Sequence, residues 1–215
     1  MCPSYMVTRN EHDNPRGRTH LLNEMMRGDV VCGGWRNEDV KHALDLCLAC
    51  KACKSECPVN VDVAMYKSEF LAHYYAGRLR PPLAYGVGLI MYWSRLAGRA
   101  PWLANFFTRA PVVSDVVKRL AGVAPQRSLP TYASQPFQQW FRTRPLRNLG
   151  GPQVLLWPDT FNNFMHPDVA RAAVDVLETL GYQILVPRQP LCCGRPVYDY
   201  GFIGVGKHLL RQVLA

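Results

Sequence analysis

The sequence predicts a helical module, a helical connector and a small α/β domain with parallel strands, in that order along the chain. Apolar residues recur at helical spacing over residues 1–80, and the alternation typical of half-buried strands does not occur there. Prolines divide residues 81–150 into short helices and turns. From residue 151 the pattern changes to strand, helix and strand, which favours a βαβ unit with a right-handed crossover. We therefore expect domains at 1–80, 81–150 and 151–215.

Four cysteines are concentrated in residues 47–58, which read Cys-Leu-Ala-Cys-Lys-Ala-Cys-Lys-Ser-Glu-Cys-Pro. This C-x2-C-x2-C-x3-C-P run is the pattern by which bacterial-type ferredoxins hold 4Fe–4S clusters. Its two-residue spacings let Cys47, Cys50 and Cys53 reach different irons of one cubane. Cys57 points out of that wrap, and in two-cluster ferredoxins the equivalent cysteine binds the other cluster. The helices around the run indicate an α-helical ferredoxin domain.

The fourth ligand of the first cluster is expected at the start of the chain. Cys2 is followed by Pro3, as at the end of a second run of the same kind. We therefore assign Cys2, Cys47, Cys50 and Cys53 to one complete 4Fe–4S cluster, and Cys57 to a second cluster that the chain encodes only in part. On this reasoning Met1 is an internal residue of a longer protein.

Zinc is the main alternative to iron and sulfide, because four thiolates can also hold a zinc ion. Structural zinc sites usually pair two closely spaced ligands with another pair a loop away, which fits four cysteines within eleven residues poorly. A disulfide knot would need an oxidising compartment, whereas ligand motifs of this kind indicate a reducing one. Cys32 has no ligand spacing and is expected to be a small buried residue.

Three helices are expected in the ferredoxin domain. A polar loop from Thr8 to Arg18 leads into the first, the second runs from Glu38 to Leu46 behind an Asn37 cap, and the third runs from Val59 to Tyr75. Their predicted buried residues are Leu21, Leu22, Met25 and Met26 in the first, Val40, Ala43, Leu44 and Cys47 in or just after the second, and Val63, Tyr66, Phe70, Leu71 and Tyr74 in the third.

Two arginines in the Pro15–Arg18 segment have two open interpretations. Near a cluster, Arg16 and Arg18 could donate hydrogen bonds to its anionic core or pair with carboxylates. They could equally be solvated loop residues.

The net charge of +9 narrows the classes of partner. An acidic protein, an acidic substrate or an anionic membrane surface would fit, but we favour a longer protein whose missing part carries the compensating acids. Nucleic acid is not expected without a basic stripe interleaved with aromatic residues. The longest apolar stretch, Leu83 to Trp93, is far shorter than the roughly 20 residues that a bilayer requires. Aromatic residues in 81–150 are expected in the core or at domain contacts, and an interfacial helix around 87–107 stays open.

The α/β domain carries a second pair of cysteines. Strands are predicted at Gln153–Trp157 and Tyr182–Val186, with a helix from Pro167 to Leu180 between them. The apolar residues of that helix are Val169, Ala172, Ala173, Val176, Leu177 and Leu180. Cys192-Cys193-Gly194 follows the second strand, at the sheet edge where ligands gather. Adjacent cysteines rarely bond to each other, so the pair indicates metal or redox chemistry, with two buried structural cysteines as the alternative.

The residues 151–215 resemble the cysteine-rich CCG domain of heterodisulfide reductase subunits and of the iron–sulfur subunits of glycolate oxidase and anaerobic glycerol-3-phosphate dehydrogenase. The whole chain resembles the C-terminal part of FAD-linked 2-hydroxy-acid dehydrogenases of the D-lactate and D-2-hydroxyglutarate type. The resemblance is carried by Cys2-Pro3, the Pro15–Arg18 segment, the run at 47–58 and Cys192-Cys193-Gly194-Arg195.

One departure concerns the CCG domain. The resemblance places a further cysteine after the first strand, where this sequence has Asp159-Thr160, and often a second CCG copy beyond Ala215. Cys192 and Cys193 are therefore left with three candidate roles: a simpler metal site with Asp159 or His166, a redox dithiol, or a vestigial position.

The resemblance implies an electron-transfer part of a flavin-linked dehydrogenase for D-lactate, D-2-hydroxyglutarate or glycolate. FAD is expected on a missing N-terminal part or on a partner subunit, and a quinone or carrier protein is expected as acceptor. The chain alone is then an oxidoreductase component without the substrate-oxidising site, cytoplasmic, with peripheral contact to the inner face of the membrane. A heterodisulfide-reductase-like thiol–disulfide subunit and a non-catalytic module stapled by a metal are the alternatives.

Overall fold

Helices dominate the computed structural model, which describes residues 2–214, and the chain divides by its internal contacts into two units. The first unit comprises the chain up to Arg80 together with Arg195–Gly206. Its helices are α1 (Pro3–Thr8), α2 (Pro15–Arg27), α3 (Glu38–Asp45), α4 (Ala52–Glu56), α5 (Val63–Tyr74) and α13 (Arg195–Asp199), with 3-10 turns at Glu11–Asp13 and Gly34–Arg36. The predicted domains 1–80, 81–150 and 151–215 stay a prediction.

Side-chain caps explain where the helices of the first unit begin. Asn14 accepts a hydrogen bond from the Gly17 amide at 2.7 Å, and α2 starts directly at Pro15. The predicted loop up to Arg18 is therefore wrong, because the cap and the proline begin the helix one turn earlier. Asn37 caps α3 through the Val40 amide, as predicted.

The third predicted helix begins later than expected. Asp62 accepts a hydrogen bond from the Met65 amide at 3.1 Å and caps α5, so residues 59–62 form the approach to the helix. Asn60 has a positive φ of 56° in this approach, a conformation that ends regular helix and suits asparagine.

The core of the first unit lies between α2, α3 and α5. Its buried residues are Leu22, Met25, Val40, Leu44, Val63, Phe70, Leu71 and Tyr74. Cys47 and Cys53 pack against this core, so the cysteine run is attached to the most buried part of the unit. Met26 and Tyr66, which were predicted to face inward, are exposed.

The chain returns to the first unit through α13. Ser68 donates a hydrogen bond to the Tyr198 carbonyl at 2.6 Å. A Cβ on Gly201 would lie 2.7 Å from the backbone of Leu71 and Ala72, and Gly201 has a φ of 70°. Only glycine therefore allows this close approach to α5.

The second unit comprises Pro81–Gly194 and the chain from Lys207 onward. It contains helices, two short strands and the larger part of the last helix, which begins at Ile203. These elements are α6 (Pro82–Gly86), α7 (Ile90–Ala97), α8 (Pro101–Arg109), α9 (Pro111–Ala121), α10 (Phe137–Thr143), β1 (Gln153–Leu155), α11 (Thr160–Phe164), α12 (Pro167–Thr179), β2 (Gln183–Leu185) and α14 (Ile203–Leu214).

The two strands pair in parallel with α12 between them in sequence, which confirms the βαβ prediction. Ala170 and Val174 of α12 are buried with Phe137, Phe141 and Ile184. The apolar residues that recur at helical spacing in α12 do not all face the core, since Val169, Ala172, Val176 and Leu180 are exposed. The physical reason is that α10 and the sheet meet α12 on the side of Ala170 and Val174, a choice that the apolar spacing of this helix leaves open.

Helices α8 and α9 expose several large apolar side chains. Trp102 is 75% exposed, and Phe106, Phe107, Val112 and Leu120 are also exposed. Of the two places expected for the aromatic residues of this segment, the core is excluded for Trp102, Phe106 and Phe107, and a role at a domain contact stays a prediction. Among residues 2–214, no helix combines the length and apolar character that crossing a membrane requires.

Candidate metal centre

Four cysteines from two separate segments, the start of the chain and the run at 47–53, line one pocket of the first unit: Cys2, Cys47, Cys50 and Cys53. Cys2 is the N-cap residue of α1, Cys47 lies two residues after the end of α3, and Cys53 lies in α4. Cys57 is absent from this lining. The structure therefore brings together the four residues that the sequence assigned to one cluster and keeps the fifth apart, while their role as ligands stays a prediction.

The wrap of the cysteine run depends on two unusual backbone conformations. Ala49 and Lys51 have φ values of 49° and 62°, in the left-handed region that costs a non-glycine residue about 1 kcal/mol or more. These two residues lie between Cys47 and Cys53 and turn the backbone twice, so all three thiols reach the same pocket. Strain of this kind is typical of functional sites.

Arg18 is the most deeply buried charged residue of the described chain, at 1% exposure. Its Nε donates to the Ala43 carbonyl at 2.7 Å, and its Nη1 donates to Cys2 Sγ at 3.4 Å. Its Nη2 is buried and has no hydrogen-bond partner. Of the two interpretations of the arginines, the structure therefore supports the first for Arg18, whereas Arg16 is exposed.

The surroundings of Cys2 and Cys47 shift the pKa values of the two thiols in opposite directions. Burial alone would raise the pKa of Cys2, but hydrogen bonds from the Tyr5 backbone and from Arg18 outweigh it and lower the pKa. Burial raises the pKa of Cys47 against the opposing charges of Arg18 and Lys67. Since the thiolate is the metal ligand, Cys2 is prepared for binding by its neighbours, and Cys47 would be deprotonated by the metal itself.

Lys67 contacts the backbone of one pocket cysteine, Cys47, and was not predicted from the sequence. Its ammonium group donates to the Cys47 carbonyl at 2.7 Å and to Asp199 at 2.9 Å. The side chain is buried. Its burial could have been predicted from its position on the apolar face of α5, four residues after Val63 and three before Phe70. A lysine at such a position needs a buried partner.

Cys57 has a different environment at the end of α4. Backbone amides of Val61, Val59 and Asn60 donate towards its sulfur and lower its pKa. The turn at Asn60 directs these amides towards the thiol. Cys57 is thereby prepared to bind as a thiolate, as expected for a ligand of a second cluster.

The donor set of the pocket fits an iron–sulfur cluster. Thiolates are the ligands of such clusters, and the unpartnered Nη2 of Arg18 offers a donor to an anionic sulfur core. Within residues 2–214, no three His, Cys, Asp or Glu side chains lie close enough to share a single metal ion. The thiolates of a cubane need a wider spacing, because each of them binds a different iron.

The second cysteine pair lies in the second unit and has an asymmetric environment. Cys192 is buried, and its sulfur accepts from the Gly194 amide at 3.5 Å; Cys193 is exposed. Burial raises the pKa of Cys192, although hydrogen bonds from Gly194 and Thr160 oppose it. Thr160, the residue where the resemblance expects a cysteine, is thus a neighbour of Cys192.

The proposed partners of that pair have other tasks in the structure. The Asp159 carboxylate caps α11, accepting from the amides of Phe161 and Asn162 at 2.7 and 2.9 Å. His166 is exposed at the start of α12. The three roles offered for Cys192 and Cys193 stay predictions. Cys32 is exposed, so its predicted burial was wrong.

Comparison with known families shows what the segment around the pocket is similar to. Residues 1–61 match the 4Fe-4S dicluster domain family. This match covers Cys2 and the whole cysteine run, and it confirms the predicted 4Fe–4S type of cofactor.

Similar proteins confirm the resemblance seen in the motifs. D-2-hydroxyglutarate dehydrogenase of Pantoea ananatis is 29% identical over 94% of this chain, and the probable glycolate oxidase iron-sulfur subunit of Bacillus subtilis is 25% identical over all of it. The glycolate oxidase iron-sulfur subunit of Escherichia coli is 35% identical over 28% of the chain. The chain is homologous to the C-terminal part of the first protein and to the iron–sulfur subunits.

The chain spans only part of these relatives. It covers 24% of the length of the Pantoea ananatis protein and 50% of the Bacillus subtilis subunit. No solved structure is detectably similar to it.

Proposed function

We propose that the chain is the iron–sulfur electron-transfer part of a flavin-linked 2-hydroxy-acid dehydrogenase. Cys2, Cys47, Cys50 and Cys53 would hold one 4Fe–4S cluster, and Cys57 would contribute to a second. The observation that carries this proposal is the single pocket in which these four thiols converge from separate segments. When bound, the cluster supplies one-electron transfer.

The residues around the pocket have the task of binding and of setting the electrostatic environment. Ala49 and Lys51 turn the run so that its thiols reach one pocket. Arg18 and Lys67 are buried cations beside Cys2 and Cys47, where they offset the negative charge of four thiolates. The apolar core behind Cys47 and Cys53 limits access of water, which also acts on a cluster potential.

Substrate oxidation is assigned to a flavin outside this chain. The relatives named as D-2-hydroxyglutarate dehydrogenase and as glycolate oxidase subunits support a 2-hydroxy acid as the substrate of the whole protein. FAD would lie on a preceding part or on a partner, and electrons would pass through the clusters to a quinone or carrier.

The second unit is proposed to be the docking side for the acceptor. Its parallel βαβ unit and the Cys192-Cys193-Gly194 turn support a CCG-type α/β domain. A thiol–disulfide role is the less favoured function, because burial raises the pKa of Cys192 and reduces its thiolate fraction.

A peripheral membrane contact at the cytoplasmic face is the location we propose for a quinone acceptor. Residues 81–150 contain nine lysines or arginines and one carboxylate, Asp115. Exposed Trp102, Phe106 and Val112 lie in the same segment. Aromatic and basic residues together favour an anionic lipid surface. Co-sedimentation with anionic vesicles, lost in Trp102→Ser/Phe106→Ser and weak with neutral vesicles, would support this location; equal binding of both vesicles or none would contradict it.

Iron and acid-labile sulfide analysis of anaerobically purified protein tests the main proposal. We expect about four irons per chain, with a reduced-cluster EPR signal that Cys50→Ser abolishes. Cys57→Ser is the matched control and should retain both iron and signal in the isolated chain. Zinc in place of iron, or the absence of a reducible signal, would contradict electron transfer and leave a metal-stapled module.

A further inference from the structure

We propose that Arg18 is a positioning residue that donates hydrogen bonds to the cluster through Cys2 and through its free Nη2, and thereby raises the reduction potential of that cluster. This inference rests on the proposed cluster of Cys2, Cys47, Cys50 and Cys53. It adds a residue outside the cysteine motifs that controls how readily the centre accepts an electron.

Arg18 is held in a fixed orientation. Its side chain is almost fully buried, and its Nε is anchored to the Ala43 carbonyl at the end of α3. Its backbone is fixed as well, because Gly17 packs so closely that a Cβ there would lie 2.1 Å from the Glu11 carbonyl oxygen. The guanidinium therefore cannot exchange freely with solvent.

The two remaining donor groups of Arg18, Nη1 and Nη2, are available to the pocket. Nη1 donates to Cys2 Sγ at 3.4 Å, and Arg18 lines the pocket together with all four cysteines. Nη2 is buried without a protein acceptor. A buried charged donor without a partner is strongly unfavourable, so the geometry points to an anionic acceptor bound in the pocket. The bridging sulfides and thiolate sulfurs of a 4Fe–4S cluster are acceptors of this kind.

The charge of Arg18 near Cys2 is partly balanced by Asp13. The Asp13 carbonyl lies 3.5 Å from Cys2 Sγ. The Asp13 carboxylate is buried nearby and interacts electrostatically with Arg18 and with His12. Asp13 therefore offsets part of the arginine charge, while Nη1 of Arg18 still donates to Cys2 Sγ.

Arg18 should make the bound cluster easier to reduce. An electron added to the cluster increases its negative charge, and a buried cation with N–H donors stabilises the reduced state more than the oxidised state. Removal of these donors should therefore make the potential more negative. Arg18→Lys should lower the potential less, because lysine keeps the positive charge and loses only the planar, forked donors of the guanidinium.

The test compares Arg18→Gln and Arg18→Lys with Arg16→Gln, which removes an exposed arginine from the same helix. Each anaerobically purified variant is assayed for iron and sulfide and is then titrated redox-potentiometrically with EPR detection. We expect a more negative midpoint in Arg18→Gln, a smaller shift in Arg18→Lys and none in Arg16→Gln. Reduced wild-type protein labelled with 15N-arginine should show a nitrogen coupling to the cluster by pulsed EPR.

The outcomes separate this inference from the proposed function. Wild-type protein without a cluster would overturn both. Wild-type protein with a cluster, combined with an unchanged midpoint in a fully loaded Arg18→Gln, would overturn the role of Arg18 alone. If Arg18→Gln does not fold, the midpoint of Arg18→Lys and the 15N coupling in the wild-type protein decide, and absence of both effects would overturn the inference.

Discussion

Lys67 and Lys41 each contact an aspartate, and comparing them tests how burial changes the contribution of such a contact to stability. The Nζ of Lys67 lies 2.9 Å from Asp199, and that of Lys41 lies 2.7 Å from Asp45. The Lys67 and Asp199 side chains are 9% and 33% exposed, against 22% and 47% for Lys41 and Asp45. Lys67 also donates to the carbonyl of Cys47.

We predict that Lys67→Met destabilises the first unit by about 1–4 kcal/mol. Loss of the donor leaves the Cys47 carbonyl unpaired, which accounts for about 1–3 kcal/mol. Loss of the ion pair adds up to about 1 kcal/mol, because the partly exposed Asp199 regains water. Lys41→Met should lower stability by about 0–1 kcal/mol, the usual range for a surface pair.

Urea unfolding followed by far-UV circular dichroism, at equal iron content, measures this difference through the midpoint at constant slope. Lys67→Met should also retain less iron, because it loosens the backbone of Cys47, whereas Lys41→Met should retain all of it. Asp199→Asn isolates the share of the ion pair. Equal midpoints for the two lysine variants would refute the argument that the buried contact supports the pocket.

Three further predictions concern packing and ionisation. Gly17→Ala should destabilise the protein by about 1–3 kcal/mol through the clash with Glu11, whereas Gly204→Ala, in open space, should leave thermal unfolding unchanged or slightly raised; equal effects would contradict the packing argument. Tyr74→Phe should lower stability by about 1 kcal/mol near neutral pH, because the hydroxyl donates to Glu38. Burial and Glu38 raise the pKa of Tyr74, so its contribution is present below the unfolded value of about 10 and is lost as the pH rises through the folded pKa; a gap in urea midpoint between variant and wild type that does not narrow above about pH 10 would argue against this. Ile184→Ala, at a position 2% exposed, should lower the stability of the second unit by about 2–5 kcal/mol, and Leu185→Ala, 40% exposed, by less; the order of the melting temperatures checks it.

The local features of the chain were predictable because their causes lie within a few residues. The spacing of Cys47, Cys50 and Cys53, the Asn37 cap and the proline at the start of α12 all act through the adjacent backbone. The parallel pairing of β1 and β2 followed from the helix between them, since a short turn cannot join parallel strands.

The differences in which apolar side chains are buried have a common physical origin in long-range packing. Met26 and Val176 continue an apolar spacing, yet neighbouring elements cover the other side of their helices. The start of α2 was missed because a capping asparagine before a proline also occurs in loops. Periodicity shows that a helix has an apolar side, and only the surrounding elements decide how wide that side is.

The sequence by itself determined the cofactor class and the order of helical and α/β parts, because ligand spacing and local propensity depend on residues close together in the chain. Only the tertiary structure decided that Arg18 is buried against Cys2 and that Lys67 holds the Cys47 carbonyl. It also decided that Cys192 is buried while Cys193 is exposed. These contacts join residues far apart in the chain, and their energies depend on burial, which arises only when the helices pack together.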